Sequence, residues 1–291
     1  MRLLAAAAIA FAASLTTPAL AGPIGEHEAA KLPIFDAHIH YKEPAWDAYP
    51  PDTVLKMMDR NGVAMALVSS TPDDGTIMLW EHAPDRIVPE LRPYLGDWGS
   101  SNWTEYDGMA DYIQDRLNKY PHQGIGEFHV RAMETTNKGL LKLIAAMARE
   151  RNIPIHIHSA AAPVEYFYEI DPDLTIIWAH AGMSEPPEVI SPLMDKHPTL
   201  YADTSFREYD ILDRTGGMDN AWEVLLLRHS DRFMVGSDTW VNSQWDRYDE
   251  LIDSNREWLA MLPRDAAEAI AFRNAERLFD IKVSPQLLGT R

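Results

Sequence analysis

The sequence predicts a single (β/α)8 barrel, and three observations carry that prediction. From residue 31 onward, short apolar or β-branched runs alternate with helical patterns through eight repeats. No low-complexity stretch interrupts the alternation, so nothing divides the chain into a second domain. No strand candidate is followed by the G-x-G-x-x-G turn that opens a dinucleotide-binding sheet.

The elements follow in order. "MRLLAAAAIAFAASLTTPALA" sets one Arg before an apolar run and places small residues at Ala19 and Ala21. It reads as a secretory signal peptide cut after Ala21, with residues 22–291 as the barrel domain in the periplasm or outside the cell. The run from Leu3 to Leu15 is short for a bilayer span, and no later segment is apolar enough, so no membrane contact is expected. Strand candidates then occupy residues 32–40, 63–70, 87–94, 124–130, 153–159, 174–181, 199–205 and 231–238. Among the helices, Leu140, Leu141, Ile144, Ala145 and Ala148 form an apolar stripe that stops at Asn152. Residues 105–121 end at a proline, 184–198 begin and end with prolines, and 263–279 make the last helix. Residues 71–79 and the Trp-rich segment 239–262 read as loops over the barrel mouth, the latter with a short helix.

Composition narrows the function. The sequence carries 44 Asp and Glu against 26 Lys and Arg, spread along the chain, which disfavours nucleic acid and anionic membranes and leaves a small-molecule substrate. There is no cysteine, so disulfides and thiol chemistry are excluded and any metal must sit on His, Asp or Glu. A homo-oligomer is compatible with the sequence, which does not specify one.

In such a barrel, chemistry belongs to the carboxyl ends of the strands. There the candidates bring His38 and His40, Glu127 and His129, His156 and His158, His180, and Asp238. A strand's period of two turns His38 and His40 the same way, so two imidazoles can chelate one ion. Asp36 falls in the same phase and is expected to face inward beside them. His158 is nearer the mouth than His156, which favours it as the ligand and leaves His156 in a supporting role. His129 shares the inward face with Glu127 and is a substrate-contact candidate. His27, His82, His122, His197 and His229 lie in leaders, helices or helix ends and are expected on the surface.

With "FDAHIH", "GIGEFH", "IPIHIHS", "IIWAHAG" and "FMVGSD" in this order, the chain resembles the amidohydrolase superfamily, in its amidohydrolase 2 branch, over residues 33 to 281. The resemblance implies a divalent metal, zinc or else manganese, as one ion or two. It implies His38, His40, His158 and Asp238 as ligands, and Glu127 where two-metal members place a bridging carboxylate. His180 is then a ligand or a catalytic residue, and Asp238 also takes a proton from the attacking water. The implied activity is hydrolysis of an amide, lactone or ester; the alternative is non-oxidative decarboxylation by a lyase of the same superfamily. Arg92 and Arg207, at the ends of strands three and seven, are candidate anchors for a substrate carboxylate.

Overall fold

The computed structural model describes residues 22–283, so the expected leader lies outside the described residues. All eight strands form in the expected order. They are β1 Ile34–His40, β2 Val63–Ser69, β3 Ile87–Glu90, β4 Ile125–His129, β5 Ile155–His158, β6 Ile176–Trp178, β7 Leu200–Asp203 and β8 Phe233–Met234. Parallel ladders run through β1-β2-β3 and through β4-β5-β6-β7-β8. A parallel bridge between Leu91 and Ile125 joins the two arcs on one side. On the other, Ala37 N–H donates to Val235 O at 2.8 Å and Asp238 N–H to His38 O at 2.6 Å, closing the barrel.

The alternation along the strands sorts residues between two cores. Ile34, Val68, Ile155, Ile157 and Phe233 point outward and pack under the helices. Phe35, Met65, Leu67, Val88, Ile177 and Met234 fill the lumen, which the chain's last described residues plug at the base through Phe279 and Val283. The Phe35 and Phe279 rings stack there at 5.6 Å. The lower barrel is therefore solid, and only the mouth has room for a site.

β1 departs from simple alternation. Its register against β2 shifts between Asp36 and Ile39. Ala37 and His38 consequently both serve the lumen, and Asp36 does not face inward as its phase suggested. Its carboxylate instead accepts the backbone N–H groups of His38 (3.2 Å) and Ser237 (3.0 Å) and the hydroxyl of Tyr248 (3.0 Å) on the wall helix. Asp36 thus pins the bulge that turns His38 into the mouth.

Around the barrel, the expected helices appear as Met109–Lys119, Lys138–Arg151 and Pro187–Lys196, the second ending at left-handed Asn152. Of residues 71–79, expected as loop, those from Asp74 onward instead begin the helix Asp74–His82, because Ile77 and Leu79 are buried there. The segment after β8 covers the mouth only with the short helix Asn242–Asp246. Its longer part, Tyr248–Leu259, descends the wall, where Asn255 reaches Gly236 O and Arg256 donates to Ala29 O and Leu32 O near the base. Three histidines expected on the surface are buried, since neighbouring helices close over helix ends. His122 lies 3.1 Å from Asp73, His197 stacks on Tyr168 at 3.8 Å, and His229 meets Ser191 at 2.9 Å.

Candidate metal centre

Five of the predicted side chains converge at the mouth. The Nε2 atoms of His38 and His40 lie 3.2 Å apart, and Asp238 Oδ1 stands 3.6 Å from the first and 3.4 Å from the second. Glu127 adds Oε2 at 3.3 Å from His40 and Oε1 at 3.9 Å from His38. His180 Nε2 is 3.7 Å from Glu127 Oε1 and 3.8 Å from Asp238 Oδ2. Donors bound at zinc's usual 2.0–2.2 Å in a tetrahedron sit about 3.3 Å from one another, so these separations match the edges of one coordination shell.

Two further observations fit an ion. His180 Nε2 and Asp238 Oδ1 are buried without a hydrogen-bond partner, although burial ordinarily demands one. His40 is also prepared as a neutral ligand: burial, reinforced by the nearby Arg92 charge, lowers it to about 4. Its Nδ1 lies 3.0 Å from Ser69 O, so that nitrogen donates to the carbonyl and Nε2 presents its lone pair.

Glu127 is the hub of the mouth side. Arg92 Nη2 donates to its Oε2 at 2.7 Å, and His158 Nδ1 lies 2.7 Å from its Oε1. Burial opposes the carboxylate charge, but Arg92 and these hydrogen bonds outweigh it and hold Glu127 well below its ordinary range. His158 thus reaches the centre across Glu127, with its ring stacked on His129 at 4.1 Å. Burial lowers His129 to about 3, and its Nδ1 is 2.9 Å from the Tyr94 hydroxyl.

His180 sits in a backbone turn that few residues tolerate. His180, Ala181 and Met183 have φ of 54°, 46° and 60°, with Gly182 between them at 81°. Arg207 secures this turn. Its guanidinium donates to the carbonyls of His180 (3.2 Å), Ala181 (3.4 Å) and Glu185 (2.8 Å) and pairs with Asp210 at 2.8 Å. The expected role of Arg207 as a substrate anchor therefore gives way to a structural one, because its donors are spent on the fold. Arg92 is likewise committed to Glu127, although it still lines the cleft. Burial opposes charge on His180, yet the nearby Glu127 carboxylate and the charges of Asp203 and Asp238 raise it to about 9.

Above the centre opens a cleft of about 680 Å³. Lys42 and Arg131 line it with Tyr94, Phe206 and Trp240. Neither cation has a carboxylate in ion-pair range among the described residues; Lys42 lies over the Trp240 ring at 5.8 Å, and Arg131 reaches only Ser100. Neither is among the residues expected from the sequence. Lys42, two residues beyond His40, continues the inward phase of β1 and was open to the same argument. Asp203, an acid at a strand end just as Asp238 is, and Glu90, at the end of the otherwise apolar β3, likewise lie outside that set.

The comparisons bear on the whole arrangement. A family model described as amidohydrolase matches residues 104–281, more than half of the chain. No curated protein matches it by sequence. Among solved structures, a candidate 2-pyrone-4,6-dicarboxylic acid hydrolase from Pseudomonas putida superposes with a TM-score of 0.57 at 14% identity, over 87% of this chain and 99% of that one. Dihydroorotase from Campylobacter jejuni gives 0.53 at 11%, over 87% and 84%. L-hydantoinase from Arthrobacter aurescens gives 0.53 at 12%, over 86% and 71%. At these identities the structures show a shared barrel fold.

Proposed function

The chain belongs to the amidohydrolase family and is an enzyme of its metal-dependent hydrolase kind; from that premise we propose that it hydrolyses a small amide, lactone or ester bearing a carboxylate, using one divalent ion. The observation that carries the reading is the unpartnered pair His180 Nε2 and Asp238 Oδ1 beside His38, His40 and Glu127. His38, His40 and Asp238 would hold the ion, with Glu127 and His158 flanking it on the mouth side. A bound ion there supplies Lewis acidity, which acidifies water and polarises a carbonyl.

The chain's own groups do the rest. Asp238, beside the His38 and His40 nitrogens through Oδ1, would accept the proton of the attacking water on its carboxylate and return it to the leaving group. His180, whose Nε2 has no hydrogen-bond partner and stands 3.8 Å from Asp238, would offer Nε2–H to the oxygen on which charge develops. Lys42 and Arg131 take the substrate carboxylate, and Tyr94, Phe206 and Trp240 cover its apolar body.

A single ion is favoured because, in the adjoining Glu127, His129 and His158 group, both Glu127 oxygens and the Nδ1 atoms of the two histidines are already paired with one another, Arg92 or Tyr94. Zinc suits the mixed nitrogen and oxygen set, with manganese as the second choice. Metal analysis of the purified chain tests this: one ion per chain supports it, and two refute the single-ion form. Chelation should abolish turnover of a lactone, amide and ester panel, and zinc or manganese should restore it. Full activity of a His38→Ala, His40→Ala double variant would sink the proposal. The single-ion layout and the cationic mouth equally suit loss of carbon dioxide from a carboxylate, so carbon dioxide release without hydrolysis would move the assignment to the lyase. We extend the proposal to export: the leader supports a periplasmic or secreted enzyme, and cell fractionation with N-terminal sequencing, expected to begin at Gly22, tests it.

A further inference from the structure

At and beneath the candidate ligand His38, one layer of the lumen is polar and charged where such layers are ordinarily filled by branched apolar residues. It draws one residue from each odd strand: His38 from β1, Glu90 from β3, His156 from β5 and Asp203 from β7. Each is at most 1% exposed. His156 Nδ1 lies 3.1 Å from Glu90 Oε2, and its Nε2 lies 3.2 Å from Asp203 Oδ2. With an acceptor at each nitrogen, both nitrogens donate, and the ring is an imidazolium held between two carboxylates.

Asp203 Oδ2 also lies 3.2 Å from His38 Nδ1 and accepts the backbone N–H of His180 at 3.2 Å. Its other oxygen accepts the Ser205 N–H at 3.0 Å and faces Gly236, where a Cβ would stand 3.0 Å from that oxygen. The carboxylate is fixed from every side.

We infer that Asp203, His156 and Glu90 are positioning residues, a chain that makes His38 donate its Nδ1 proton to Asp203 and so turns a bare Nε2 toward the ion. The inference rests on the metal-centre reading and goes past it to residues that touch neither ion nor substrate. Asp203 sets the tautomer. His156 neutralises Asp203, so that it neither draws the His38 proton fully across nor competes for the ion. Glu90 anchors His156 from the far wall. The arrangement extends the usual pairing of a ligand histidine with one carboxylate by two further members.

The test uses the full chain with and without zinc. Nitrogen-15 spectra of the metal-free chain should show His38 protonated at Nδ1; in Asp203→Asn that signature should shift toward the Nε2–H form. Zinc affinity, measured by chelator competition, should fall ten- to a hundredfold in Asp203→Asn. Glu90→Gln, a milder change that keeps the shape of the layer, should cost three- to tenfold in affinity with little change in the His38 signature. An unchanged tautomer in folded Asp203→Asn overturns the inference, as does a less than threefold loss of affinity in both variants. If the wild-type chain takes up no zinc, the metal reading fails, while the tautomer measurement still decides the role of Asp203.

Discussion

Replacing Asp36 with Asn should stabilise this protein above pH 6, although Asp36 is fully buried and hydrogen-bonded. Burial raises its carboxyl from 3.8 to about 6 against the opposing hydrogen bonds of Ser237, His38 and Tyr248. The folded chain therefore holds this proton more tightly than the unfolded one. The penalty for the charge is absent below about pH 4, grows between the two values and is complete above about 6. Roughly two units correspond to about 3 kcal/mol. Asparagine avoids that cost without giving up the bulge, because both backbone N–H groups bond to the single oxygen Oδ1. Its amide would meet the Tyr248 oxygen, which can turn to accept. At about 2 °C per kcal/mol for a chain of this size, the melting temperature should rise by roughly 4–6 °C at pH 8. At pH 4 the advantage should vanish. Thermal melts across that range check both points, and a variant that melts lower than wild type at pH 8, or differs by the same amount at both ends, refutes the reasoning.

Other outcomes follow from the same geometry. Arg207→Met leaves the carbonyls of His180, Ala181 and Glu185 unsatisfied, and should lower stability by about 3 kcal/mol and turnover with it, as denaturant titration and initial rates would record. Gly126→Ala drives a Cβ into the His156 carbonyl oxygen, and the variant should fail to accumulate as folded protein in a soluble-expression assay. Lys42→Met and Arg131→Gln should each raise KM for a carboxylate substrate about tenfold while leaving that for its methyl ester unchanged. Burial opposes the His156 charge, but Glu90 and Asp203 raise it to about 10. Its contribution is thus complete below about pH 6.5 and lost as pH climbs through 10, so the stability gap between wild type and His156→Phe should narrow over that range in pH-dependent melts.

The strands were legible because their alternation is a local property, and their ends located the donors without any tertiary information. His38, His40, Glu127, His180 and Asp238 were readable for that reason. The phase of Asp36 was not, because a bulge is set by pairing with β2 and leaves no mark in "FDAHIH". Arg207 looked like an anchor because a guanidinium at a strand end is equally apt to meet a ligand or the carbonyls of a neighbouring turn. Only the left-handed run at His180 to Met183, invisible in sequence, decides between them. The charged layer was missed for a different reason. Glu90 and Asp203 make sense only as partners of His156, and the three come from strands far apart in the chain.

The grip of Arg207 on the His180 turn also has a mechanical side. Phe206, the residue before it, lines the cleft and is itself left-handed at φ 59°. On the proposed function, a substrate that presses on the Phe206 ring strains the backbone beside Arg207, whose guanidinium holds the His180 carbonyl. On that reading the loop after β7 couples whatever fills the cleft at Phe206 to the position of His180.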